Sequence, residues 1–152
     1  MPTTVRFDRG HVAALLSTAA AVALAPFTAP RAAEPFFQRI ATLPVYATLP
    51  AGTDLKTATS AEIITATPDG MTLIFTDSPA KRIGFVDIAD ARAPKPLGNV
   101  AVGGEPTTTV VIGKMAFAGV NTSESKANPS GKLVTVDVTA RKVVAECDLG
   151  GQ

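Results

Sequence analysis

The sequence predicts an all-β fold made of repeated four-stranded units, and three observations predict it. From Glu62 onward, short β-branched and apolar runs alternate with clusters of Gly, Pro, Asp and Asn, the pattern of strands joined by tight turns. The order of those runs recurs at an interval near 45 residues, and repetition at such a period marks arrays of supersecondary units. No helical segment separates the runs, which disfavours a doubly wound α/β fold. The chain has 152 residues, 46% of them apolar and 18% charged. That is the length of one ordinary domain, with enough apolar surface to bury a core.

The first element in chain order is a signal peptide, predicted over residues 1–33. Arg6 and Arg9 supply a positive start, diluted by Asp8, and Val12 to Phe27 is an uncharged apolar run. Small residues follow at Thr28, Ala29, Ala32 and Ala33, as a secretory cleavage region requires. Arg31 fits the −3 position poorly, so cleavage after Ala33 is one choice of site. The run falls short of the roughly 20 apolar residues a membrane span needs, and no stable span is expected after its removal. The expected localisation is periplasmic or secreted. Residues 34–61 form a lead-in segment, in which Phe36 to Leu49 is expected to supply one or two strands.

The first unit occupies residues 62–106. Ile63 to Thr67 is a strand, Pro68-Asp69-Gly70 a turn, and Thr72 to Thr76 the return strand. In that turn Pro presets φ, Asp bonds its own backbone and Gly accepts positive φ. After Asp77-Ser78-Pro79, Arg82 to Ile88 is a third strand. Leu97 to Val102 is a fourth, closed by Gly103-Gly104.

The second unit occupies residues 107–152 and repeats this order. Its strands are Thr107 to Ile112, Met115 to Val120, Lys132 to Val138 and Lys142 to Leu149, closed by Gly150-Gly151. Phe85-Val86-Asp87-Ile88 aligns with Thr135-Val136-Asp137-Val138 at an offset of 50, Val102 to Glu105 with Leu149 to Gln152 at 47, and Thr76-Asp77-Ser78 with Val120-Asn121-Thr122 at 44. Four strands per unit at this spacing describe a β-propeller blade. The prediction is therefore about two four-stranded antiparallel blades, an incomplete propeller, since complete rings have about four to eight blades. A Pro and a further first strand are expected after Gln152, as at Pro106-Thr107, so the sequence reads as a truncated piece of a larger array. The expected partners are further blades of a longer chain or other copies of this one.

The turn Pro68-Asp69-Gly70, the strand Phe85-Val86-Asp87-Ile88 and the junction Gly103-Gly104-Glu105-Pro106 resemble the bacterial exported propeller repeats of the YVTN and LVIVD type. The run Gly103 to Thr107, with Asn121-Thr122-Ser123 and Gly150-Gly151-Gln152, is similar to the N-terminal propeller of bacterial proteins with an esterase-like phytase domain. The resemblance covers residues 37–152. It implies a propeller; no catalytic residue carries over, because no active-site motif of the phytase-like family is matched.

Composition narrows the chemistry. The net charge of +1, 5% aromatic content and absence of Trp offer neither a phosphate-neutralising stripe nor a base-stacking platform, so no nucleic-acid partner is expected. Removing residues 1–33 takes away Arg6, Arg9, Arg31 and Asp8, leaving a net charge of −1. It also takes away His11, the single histidine. A Ser-His-Asp triad, His-based proton transfer and imidazole-ligated metals then have no residues to use. Cys147 is the single cysteine. Flanked by Val143, Val144 and Leu149, it reads as a small hydrophobe buried in a strand, although an odd cysteine in an exported chain also reacts or pairs with another chain.

Candidate site residues reduce mostly to structural ones. Asp69, Asp77, Asp87, Asp90 and Asp137 lie at or near strand ends, where carboxylates bind calcium in some folds. Their spacing matches no calcium loop. Asp69 reads as a turn former, and Asp87 and Asp137 as equivalent structural residues. Lys81-Arg82 and Arg141-Lys142 read as solvated pairs at turns. Gly103-Gly104 and Gly150-Gly151 lack the helix and the Lys-Ser/Thr of a phosphate loop. Asn121 to Gly131 is the longest insertion and reads as a solvated, mobile connection, with a binding loop as the alternative. No catalytic, cofactor-binding or metal residue is assigned and no cofactor is expected, with calcium open for a complete propeller. The function expected is a scaffold or ligand- or protein-binding module without catalysis of its own. The alternative is the N-terminal part of a larger phytase-like or esterase-like hydrolase.

Overall fold

A computed structural model of the chain describes residues 38–150. The expected signal at residues 1–33 lies outside the described residues. Eight strands follow one turn of 3-10 helix at Val45–Thr48: β1 (Ile64–Ala66), β2 (Thr72–Asp77), β3 (Arg82–Asp87), β4 (Lys95–Ala101), β5 (Glu105–Ile112), β6 (Met115–Asn121), β7 (Gly131–Asp137) and β8 (Lys142–Gly150). They form two four-stranded antiparallel sheets, ordered β1-β2-β3-β4 and β5-β6-β7-β8. The described residues are nearly all β, two propeller blades that close no ring among themselves. The second sheet starts at Glu105, so the Glu105-Pro106 pair belongs to its first strand.

The lead-in corrects one expectation. Among the described residues 38–61 there is no strand. Pro44 and Pro50 explain this, since each lacks an N–H for a ladder and fixes its own φ. Ala47 N donates to Pro44 O, Leu49 N to Tyr46 O and Thr53 N to Pro50 O, so the chain turns locally instead of pairing. The segment is pinned to β4, because Asn99 Nδ2 donates to Thr48 O.

The repeat shows in the details of both sheets. The closing pair Thr72↔Asp87 in the first sheet matches Met115↔Asp137 in the second. The ladder between the third and fourth strands slips at Phe85/Val86 in one sheet and at Thr135/Val136 in the other. Each slip is a bulge that accommodates one extra residue, Leu97 or Val144, and bends the outer strand. Gly113, with φ of 61°, takes the first central position of the two-residue β5–β6 turn, as a type II′ hairpin requires. Two further turns share one design. Asp77 Oδ1 accepts from Ala80 N (3.2 Å) before left-handed Lys81, and Asp137 Oδ1 accepts from Ala140 N (2.7 Å) before left-handed Arg141.

Counted from the shared aspartate, Ile74 is equivalent to Phe117 rather than to Ala118. The offset of 44 read from Thr76-Asp77-Ser78 is thus one residue too long within this strand. One residue matters in a strand, because it exchanges the two faces.

The core lies between the sheets. The first contributes Ile74, Ile83, Phe85 and Val102, and the second Ala116, Ala118, Val120, Val134 and Val136. Large side chains of one sheet therefore meet small ones of the other. Each fully buried Ile, Val or Phe contributes about 1.5–3 kcal/mol through removal from water. On the opposite face of the first sheet, Phe75 pairs with Gly84, and a Cβ at Gly84 would fall 2.1 Å from Phe75 Cζ. The ring thus occupies the place a side chain would take.

Candidate functional site

The aspartates at the strand ends each engage one carboxylate oxygen, Oδ1, with backbone N–H groups. Asp69 Oδ1 accepts from Thr67 Oγ1 (2.5 Å) and Met71 N (3.0 Å) across the β1–β2 turn, which Gly70 completes with φ of 71°. The Thr67 hydroxyl, and after it the Met71 N–H, hold the Asp69 carboxyl below the ordinary carboxylate value. Asp87 Oδ1 accepts from Ala89 N and Asp90 Oδ1 from Arg92 N, both at 2.9 Å. Among the described residues, no three His, Cys, Asp or Glu side chains stand close enough to hold a metal ion.

Asp69 carries a prediction with a definite sign. A carboxyl whose folded pKa is depressed adds stability above its unfolded pKa, and this is lost as pH falls through the folded value. The window therefore lies below the ordinary aspartate range. Carboxyl chemical shifts followed by NMR should show Asp69 titrating below the ordinary aspartate value, and Thr67→Val should move it back up.

Asp77 is the exception among the five in its burial, at 2% exposed. Its Oδ1 accepts from Ser60 N (3.0 Å) and Ala80 N (3.2 Å), tying the end of the lead-in to the β2–β3 turn. Asp77→Ala leaves both donors unpaired and should cost about 1–3 kcal/mol, read as a lower urea midpoint. Asn at this position, which keeps the acceptor, should restore most of the loss.

The basic pairs sit at turns. Lys81 and Arg141 adopt φ of 56° and 50° and are exposed. Arg82 is half-buried, and its Nε donates to Ala80 O at 3.0 Å.

The insertion at residues 121–131 is exposed, as its composition suggests, and it is also laced together. Ser130 N donates to Ser123 Oγ (2.9 Å), Ser123 Oγ to Ser130 O (3.1 Å), and Thr122 N to Ser130 O (3.0 Å). Asn121 Oδ1 accepts from Ser123 N (3.0 Å), and an isolated bridge joins Ser125 to Asn128. Short hydroxyl side chains bonding local backbone make this an extension of the β6–β7 hairpin. It presents Glu124 and Lys126 to solvent at its tip. At its base Lys132 Nζ pairs with Glu146 Oε2 at 2.9 Å.

Cys147 requires a correction. It is exposed and pairs with Leu133 on the side of the second sheet away from the first. Its flanking valines suggested burial, but a buried strand needs cover on both faces, and among the described residues only one face of this sheet has it. Val110, Ile112 and Leu149 are exposed too.

One feature escaped the sequence reading, an apolar cavity of about 380 Å³ between the lead-in and the first sheet, lined by residues that include Ile40, Leu43, Ile64, Leu73 and Val86. The apolar residues Leu43 and Val45 beside Pro44 were its only signal. The second sheet also has a bare apolar face, as expected of two blades that close no ring.

Comparison with known proteins adds little beyond this geometry. No family model matches the chain, and no curated protein matches it. Among solved structures the chain is similar to hydrazine synthase of Kuenenia stuttgartiensis, at 19% identity and a TM-score of 0.48, over 60% of this chain and 25% of that one. This chain thus spans about a quarter of that protein, and a likeness so distant carries no argument about activity.

Proposed function

We propose that the chain is an exported β-propeller segment serving as a scaffold and binding module, with no catalysis of its own. The observation that carries this reading is the hydrogen-bonded hairpin at 121–131, projected from a rigid four-stranded blade. Contact loops held on rigid scaffolds are a common way to bind. Residues 1–33 act in this reading as the signal, with a periplasmic or secreted product. Among the described residues, no helix is long and apolar enough to cross a membrane. The partners are further blades of a longer chain or other copies, and nucleic acid is not among them. Calcium belongs to this reading only in a complete propeller.

The finer kinship rests on residues. Pro68-Asp69-Gly70 and Gly103-Gly104-Glu105-Pro106 support repeats of the YVTN and LVIVD type. The second reading, an opening segment of a phytase-like or esterase-like hydrolase, is supported by Gly103 to Thr107 with Asn121-Thr122-Ser123. Assay of the purified chain against p-nitrophenyl phosphate and p-nitrophenyl acetate, with and without calcium, tests the first reading, and the intact mass of the exported product tests the second, which needs a much longer chain. No turnover is expected, and saturable turnover would favour the hydrolase. An exported product whose N-terminus is Glu34 is expected from the signal, and an intact Met1 would overturn it.

A further inference from the structure

The bare face of the second sheet has a specific partner written into the repeat. In the first sheet Ile74, Ile83 and Phe85 point at the second sheet and pack on Ala116, Ala118, Val134 and Val136. The register pairs make Phe117, Leu133 and Thr135 the equivalents of those three residues in the second sheet. They alternate with the buried Ala116, Ala118, Val134 and Val136, and so lie on the opposite face. Val110 and Ile112 extend that face and are 51% and 66% exposed, and Cys147 lies on it beside Leu133. The contact between the sheets is head-to-tail, with the large-residue face of one sheet on the small-residue face of the sheet that follows it. Such a contact repeats in one direction until a ring closes.

A second copy of the chain does not offer the matching surface. The face of its first sheet equivalent to Ala116 and Ala118 carries Leu73 and Phe75. That face is also covered by Ile40, Leu43 and Val45 across the apolar cavity. Large side chains would meet large ones there, and the lead-in would have to leave.

We propose that the face bearing Val110, Ile112, Phe117, Leu133 and Cys147 is the seat of a further blade, one that follows in sequence and presents Ala- and Val-sized side chains. The proposal rests on the propeller reading of the fold and narrows its partners from blades or copies to a blade.

The test uses the full chain and a tandem chain that carries a second copy of residues 105–150 after Gln152. In the added copy Cys147→Ser removes its thiol, and Val110→Thr, Ile112→Lys and Leu133→Lys keep its outer face soluble. The probe is N-ethylmaleimide. Cys147 should react freely in the full chain and at least about tenfold more slowly in the tandem chain, where labelling waits on local opening. Ala118→Leu in the added copy, which enlarges its small-residue face, should return the rate to that of the full chain. So should Ile112→Glu in the original second sheet. Equal rates in the full and tandem chains overturn the proposal. It is overturned as well if the full chain sediments as a dimer with Cys147 protected, since the occupant would then be a second copy. Ester turnover by the full chain would sink the scaffold reading and leave these rates unchanged.

Discussion

Gly104→Ala should destabilise the chain by about 2–3 kcal/mol, at the upper end of ordinary overpacking costs. Gly104 is buried where the first sheet hands over to β5. A Cβ there would lie 2.5 Å from Asn121 O and 2.8 Å from Val120 Cγ1. The first of these atoms is backbone, fixed by the pairing of Glu105 with Asn121. Relief therefore requires β5 to move away from the end of β6, which breaks ladder bonds at the blade junction. The neighbouring Gly103 differs: its φ is 71°, and the nearest atom to a Cβ is the flexible Lys132 Nζ at 3.0 Å. Gly131 is the control, since a Cβ there meets only Val120 O, at 3.4 Å. Gly131→Ala should stay within about 0.5 kcal/mol of the parent. Urea unfolding followed by circular dichroism reads both variants against the parent. A midpoint for Gly104→Ala equal to that of Gly131→Ala would show that the junction is not tight.

Phe85→Ala should cost about 3–5 kcal/mol, the range for removing a fully buried aromatic ring. Phe85 is 0% exposed and is the largest of the completely buried side chains. It lies in the cluster where the first sheet meets the second, so its loss opens a void between blades that neither sheet can close alone. Small domains have about 5–15 kcal/mol of stability in all, and the variant should lose a large part of it. Phe85→Leu, which keeps most of the volume, should recover more than half of the loss. The exposed Ile112 gives the contrast, since Ile112→Ala trims an apolar side chain on the open face and should move the midpoint little. Equal effects at Phe85 and Ile112 would mean that the two sheets do not form one core.

Both predictions show how much of the molecule was legible beforehand. The strands were legible because β-branched runs such as Thr107 to Ile112 and Lys132 to Val138 have few other favourable conformations, and the turns between them use Pro68-Asp69-Gly70 and Gly113-Lys114. Asp69 was legible as a turn former because an aspartate between Pro and Gly bonds its own backbone. Asp87 and Asp137 were legible as equivalents because their surrounding residues repeat. The lead-in was misread because apolar residues in Phe36 to Leu49 suit a strand, whereas Pro44 and Pro50 forbid its ladder. The insertion at 121–131 looked loose because its residues are polar, yet Ser123, Ser130 and Thr122 are the residues that bond backbone locally.

What the sequence by itself determined is the local grammar: eight strands, their turns, the four-strand unit and its single repetition. These follow from backbone propensity and turn chemistry, which act over a few residues. Tertiary structure decided which side of each strand is covered. Cys147 sits in an apolar run and is bare, while Asp77 carries a charge-bearing side chain and is buried. In a strand the face is set by pairing register, and a shift of one residue exchanges inside for outside. Register comes from contacts between strands such as Thr72↔Asp87 and Met115↔Asp137. Those contacts join residues more than ten positions apart, beyond the reach of any local pattern.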